Sequence, residues 1–192
     1  MNTKLILLTL MILSQIACKD NTIPKPESLI RLDYPKANYK DIDIETIAYQ
    51  FQYNQSLSTK YKIKSQDIQI NYPKMKATIY LTHKEINNNL NKLLIDAQKL
   101  TFEHAIKADE IFEQNIINQK DKVFGMYYQV GGNAATNAQF YLTDSITHFL
   151  TGSIYFYAKP NYDSIYPAIE YLKRDLKHLI NTFKWKNQES IR

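Results

Sequence analysis

The chain has four glycines in 192 residues, and all four fall in one stretch, VFGMYYQVGGNAATNAQFYLTDSITHFLTGSIYFYAKPNYDSIYP, from Val123 to Pro167. Sharp turns need residues that tolerate positive φ, and the Gly131-Gly132 pair within this stretch supplies them. Val123 to Val130 is apolar or aromatic at most positions on both faces, which is what a central strand covered on two sides requires. Gly131-Gly132-Asn133 supplies a first turn and Thr143-Asp144-Ser145 a second polar break before a strand from His148 to Ala158. The pattern predicts a three-strand antiparallel meander that runs into a terminal helix.

The rest of the chain fits around that meander. Asp67 to Tyr72 and Ala77 to Thr82 alternate as strands on either side of a Pro73-Lys74 turn. Tyr39 to Ile44 and Glu45 to Phe51 read as shorter strands, and Asn54 to Ser65 as an exposed loop or hairpin tip. Thr82-His83-Lys84-Glu85 matches a capping box. Behind it Ile86, Leu90, Leu93, Leu94, Ala97, Leu100, His104, Ala108 and Ile111 recur at helical spacing, predicting one long helix to about Asn115. The terminal helix carries Ile165, Ile169, Leu172, Leu176, Leu179 and Phe183 on one face, with Lys173, Arg174, Lys177 and Lys184 off it. Asp163 is its predicted N-cap, and Pro167 falls in its first turn. The expected class is α+β: a mainly antiparallel sheet with a long central helix and a C-terminal helix packed on it. Fifteen tyrosines suit a sheet with aromatic cross-strand pairs.

The N-terminus has a different character. Leu5 to Leu13 is an apolar run behind Lys4, too short for a permanent membrane span but the right size for a secretory signal. It ends in Ser14-Gln15-Ile16-Ala17-Cys18, where the single cysteine of the chain follows a small residue. This resembles a bacterial lipobox, with Gln15 at the position that usually holds leucine, and it implies an acylated Cys18. Lys19 to Glu27, with Pro24 and Pro26, has the composition of an extended tether. The expected organisation is a lipoprotein signal peptide over 1–17, acylated cysteine and flexible tether over 18–28, one α+β domain over 29–186, and a disordered tail over 187–192. A lone cysteine excludes a disulfide framework. Removing the signal takes away only Lys4, so the formal charge of +5 falls to about +4. That small excess, without a basic stripe interleaved with aromatics, gives no reason to expect nucleic-acid binding.

Four constellations are the candidates for chemistry. Asp144, Ser145 and His148 contain the residue types of a hydrolytic triad, but Thr143-Asp144-Ser145 is also ordinary turn chemistry, and there is no nucleophile-elbow motif. His83, His104, His148 and His178 form no metal-binding spacing, and Gly131-Gly132-Asn133 lacks the lysine and helix of a phosphate loop, so no cofactor or metal is expected. Tyr155, Phe156, Tyr157, Tyr162 and Tyr166 could line a groove for a glycan or peptide, although alternate strand residues point to opposite faces.

Several long runs resemble one family. Tyr128 to Ala135, Gln139 to Ser145, His148-Phe149 and Thr151 to Pro167 are similar to the gliding motility lipoprotein GldD of Bacteroidota. So are Cys18-Lys-Asp with Pro24-Lys-Pro26, Arg31 to Pro35, Tyr72-Pro73, Ala77 to Tyr80, Asn87 to Leu90, Lys99 to His104 and Lys107 to Asp109. Glu45 to Ser65 agrees least. The resemblance implies an envelope lipoprotein of the gliding apparatus and its associated type IX secretion system. It implies a non-enzymatic assembly or stabilising role, anchored to a membrane through Cys18 and partnered by other envelope proteins of that machinery. It supplies no catalytic residues. The loops around Gly131 to Asn137 and Lys159 to Tyr166 are the expected partner contact, through Asn133, Asn137, Lys159, Asn161 and Tyr162. The alternatives are a hydrolase of a cell-wall or surface substrate that uses His148, and a glycan- or peptide-binding module.

Overall fold

The computed structural model describes residues 34–42, 44–56, 60–104, 110–131, 136–157 and 162–186. Cys18, the expected signal peptide and tether, and the 187–192 tail lie outside them. Among the described residues ten strands form two antiparallel sheets. β1 (Tyr39–Ile42), β2 (Tyr49–Asn54) and β10 (Lys184–Trp185) make a small sheet in the order β1-β2-β10. The large sheet contains β3 (Lys60–Lys64), β4 (Asp67–Tyr72), β5 (Ala77–Glu85), β6 (Ile111–Asn118), β7 (Val123–Val130), β8 (Thr136–Thr143) and β9 (His148–Phe156). Its order is β3-β4-β5-β9-β8-β7-β6. The predicted meander is therefore present as β7, β8 and β9, and β7 has the predicted bounds. It is not the central strand, however. The doubly covered strand is β8, buried at all positions but one.

Two helices, α1 (Leu90–His104) and α2 (Tyr162–Thr182), complete the fold. α2 contacts the small sheet through His178, whose Nε2 lies 2.9 Å from Gln52 Oε1, and through Thr182, whose Oγ1 accepts the Gln52 N–H at 3.0 Å. It reaches the large sheet through Lys177, stacked 5.3 Å over the Tyr127 ring. The predicted stripe of Ile169, Leu172, Leu176, Leu179 and Phe183 is buried, in one cluster with Phe51, Ile70, Ile79, Phe140 and Ile154. Burial of a Leu or Phe side chain stabilises by roughly 1.5–3 kcal/mol, and this cluster joins both sheets to the helix. α1 covers the opposite face of the large sheet, as the alternation of strand side chains requires. Leu93 and Thr101 are buried beneath it, while Ile95 stays exposed.

The structure corrects several expectations. The long central helix is shorter than its periodicity implies: it spans Leu90–His104, and Ile111–Asn118 is the edge strand β6. Half-buried Ile111, the first residue of that edge strand, happened to continue the helical spacing. The capping box at Thr82–Glu85 does not form, because β5 runs on to Glu85, paired throughout with β9. Asn88 takes φ 56° at the strand-to-helix change, and the helix proper follows Asn89. In the predicted loop, Lys60–Lys64 is strand β3, paired with β4. Finally, α2 starts at Tyr162, so Asp163 is inside it rather than at its N-cap, and Pro167 lies past the first turn. Lys173, assigned to the polar face, is nearly buried with its ammonium 3.1 Å from Glu170 Oε1.

Candidate functional site

At one end of the large sheet, antiparallel pairing of β5 with β9 puts His83 and His148 side by side, with His83 Nε2 3.1 Å from His148 Nδ1. The Trp185 ring stacks on His148 at 5.2 Å between centroids. Burial, and then the neighbouring His148 charge, push the His83 imidazole down to about 4, against the pull of Glu85, Asp67 and Asp144. Asp144 does not orient either ring. Its Oδ1 accepts the backbone N–H groups of Ile146, Thr147 and His148 at 3.0, 2.8 and 2.8 Å. Burial pushes that carboxyl up, but these three bonds outweigh it and hold the pKa below the ordinary value. Ser145 sits at φ 70° with its N–H on Thr143 Oγ1. Asp144, Ser145 and His148 thus build a turn, and the described contacts do not join them as nucleophile, base and orienting group.

The opposite end of the sheet holds the described residues nearest in sequence to the expected partner contact. Thr136 pairs with Tyr155 at the start of β8 and the end of β9, so the described residues that border the two expected loops are neighbours. Gly131 also ties this end to Glu110, whose carbonyl accepts its N–H at 2.9 Å. Sequence reasoning placed one contact across both segments, and the strand register brings their roots together. Asn133, Lys159 and Asn161 lie outside the described residues, and of Tyr162 only the helical backbone is described. Asn137 is a correction. Expected on an exposed loop, it is instead in β8 with 0% exposure, at an irregularity in the pairing with β9.

A buried carboxylate was missed by sequence reasoning altogether. Asp175 points from α2 into the interior, where its carboxylate accepts the Tyr39 hydroxyl at 3.0 Å, the Tyr72 hydroxyl at 3.3 Å and the Asn54 amide at 3.0 Å. The Asn54 side chain in turn reaches the Tyr171 hydroxyl at 2.7 Å. Burial raises the Asp175 pKa, and the bonds from Asn54, Tyr39 and Tyr72 with the Arg174 charge only partly offset it. Burial and the Asp175 charge push the Tyr39 phenol up to about 12. An acidic residue inside an otherwise apolar helical stripe is the one signal that would have found this network.

Beneath α1 the sheet presents a third arrangement. Thr82, Thr101, Tyr128, Gln139, Thr151 and Ser153 surround a cavity of about 140 Å³ between helix and strands. The Tyr80 hydroxyl at its edge hydrogen-bonds that of Tyr157, and the Tyr155 and Tyr157 rings meet edge to face at 5.1 Å. Phe156, between them in sequence, is buried on the other face.

Among the described residues no group of three His, Cys, Asp or Glu side chains gathers as a metal site, and no helix is long and apolar enough to cross a membrane. No curated protein matches the chain. A family model described as "Gliding motility lipoprotein GldD" matches residues 19–185, from the position after Cys18 through the last strand.

Proposed function

From the premise that this chain belongs to the gliding motility lipoprotein GldD family, we propose that it is a non-enzymatic assembly or stabilising component of the gliding apparatus and the associated type IX secretion system. The observation that carries this reading is the extent of the family match, which spans both sheets and both helices and begins directly after Cys18. A gliding motility lipoprotein belongs to the cell envelope through its lipid, and Cys18 is the residue we assign to acylation. The segments that border Thr136 and Tyr155 in sequence are the partner contact we assign, through Asn133, Lys159, Asn161 and Tyr162. Support for a non-enzymatic role comes from the Asp144 carboxylate, spent on three backbone amides.

Complementation of a deletion strain tests the reading. His148→Ala should restore secretion and gliding, Cys18→Ala should lose retention in the membrane, and Asn133→Ala with Lys159→Ala should impair secretion without lowering the unfolding temperature. Failure of a folded His148→Ala variant would favour the hydrolase. Wild-type secretion with the Asn133 and Lys159 changes would remove the assigned contact.

A further inference from the structure

The cavity beneath α1 has chemistry that an assembly role leaves unused. None of its lining residues is acidic, basic or histidine; they offer hydroxyls, aromatic walls and one carboxamide. That carboxamide belongs to Gln139, only 5% exposed, whose Oε1 is 3.5 Å from the Thr101 hydroxyl and whose Nε2 has no hydrogen-bond partner among the described residues. A buried donor left unmet is costly, and an acceptor on a ligand would offset that cost. The Thr151 hydroxyl donates to the Thr82 carbonyl at 3.4 Å and keeps its lone pairs for a donor. A charged ligand would be buried here without a counter-charge, which selects for a neutral one. A cavity of 140 Å³ is close to the roughly 150 Å³ that holds benzene, so it admits the edge of a sugar ring and leaves the rest of that residue at its mouth. Tyr80 leads from it to Tyr157 and Tyr155, 56% and 39% exposed, so an aromatic ledge runs from the pocket to solvent.

We propose that this pocket takes the edge of one residue of a neutral glycan, with Gln139 Nε2 donating to a sugar oxygen and the tyrosine ledge packing against the C–H face of the next ring. Neutral hydrogen-bonding groups beside exposed aromatic surface suit a ligand that is polar at its edges and apolar on its faces.

The test is ligand-observed NMR on the full-length lipidated protein in a zwitterionic detergent. The probes are glucose, galactose, mannose, N-acetylglucosamine and its disaccharide, with glucuronic acid as the charged control. At least one neutral sugar should saturate in the millimolar range, the control should not, and Gln139→Leu should weaken binding about tenfold while leaving the protein at least as stable. Tyr157→Ala, on the exposed ledge, is the second variant and should weaken the disaccharide more than the monosaccharide. The proposal is overturned if no neutral sugar binds up to about 50 mM, well above the range expected for a ligand of this size. Binding by a folded Gln139→Leu protein equal to wild type overturns it as well. Should that variant not fold, unchanged disaccharide binding by Tyr157→Ala does the same.

Discussion

Asn54 on β2 and Asp175 on α2 face each other in the interior, the Asn54 amide nitrogen 3.0 Å from one carboxylate oxygen and 3.2 Å from the other. With Tyr39 and Tyr72 on the same carboxylate, this contact ties the small sheet, the large sheet and the helix at one point. Asp175→Ala would strand two hydroxyls and take from the Asn54 amide one of its acceptors, so it should cost about 3 kcal/mol and lower the unfolding temperature by roughly 6–12 °C. Calorimetry checks the value, and a loss below 1 kcal/mol would show that the network is incidental.

The same carboxyl carries a pH signature. Its folded pKa is raised, so the stability it contributes is present below the unfolded value near 4 and is lost as pH rises through the folded value. Asp175→Asn, which cannot ionise, should therefore gain stability relative to wild type as pH goes from about 3.5 to 7. A constant difference across that range would contradict the assignment.

His83 works in the opposite sense. Its folded pKa of about 4 lies below the unfolded 6.5, so its contribution is present above pH 6.5 and lost as pH falls toward 4. Replacement by glutamine keeps a hydrogen-bonding partner for His148 and removes the titration. Denaturant midpoints measured between pH 7 and 4 should fall less steeply in His83→Gln than in wild type; parallel curves would sink the explanation.

Gly152 sits opposite Phe140, and an added methyl group would overlap the phenyl ring in the core. Gly152→Ala must displace that ring or the strand, so about 2 kcal/mol of destabilisation is expected, in the range of overpacked cores. Equal stability by urea unfolding would mean that the core yields more easily than its packing indicates.

The parts of the fold legible in the sequence were those where a strict period met a turn residue. Asp67 to Tyr72 alternates and ends at Pro73, and Val123 to Val130 ends at Gly131, and both strands have their predicted bounds. The long helix was misjudged because period alone cannot separate an edge strand that begins at Ile111 from a further turn of helix. Lys60 to Lys64 was hidden for a related reason: an outer strand with little buried surface has no apolar pattern to show. At the candidate sites, the alternation that puts Tyr155 and Tyr157 on one surface was readable, since it depends only on local geometry. The meeting of Asp175 with Asn54, 121 residues earlier, was not, and neither was the cavity at Gln139, because both arise from tertiary packing.

The central claim is that this lipoprotein works as part of an envelope assembly. Native co-purification tests it most directly: a tag placed after Arg192, solubilisation of the envelope in mild detergent, and identification of what accompanies the lipidated protein. The account predicts gliding or secretion components in stoichiometric amounts, lost when Asn133 and Lys159 are changed to alanine. A folded, lipidated protein that elutes alone from an envelope active in secretion would contradict it.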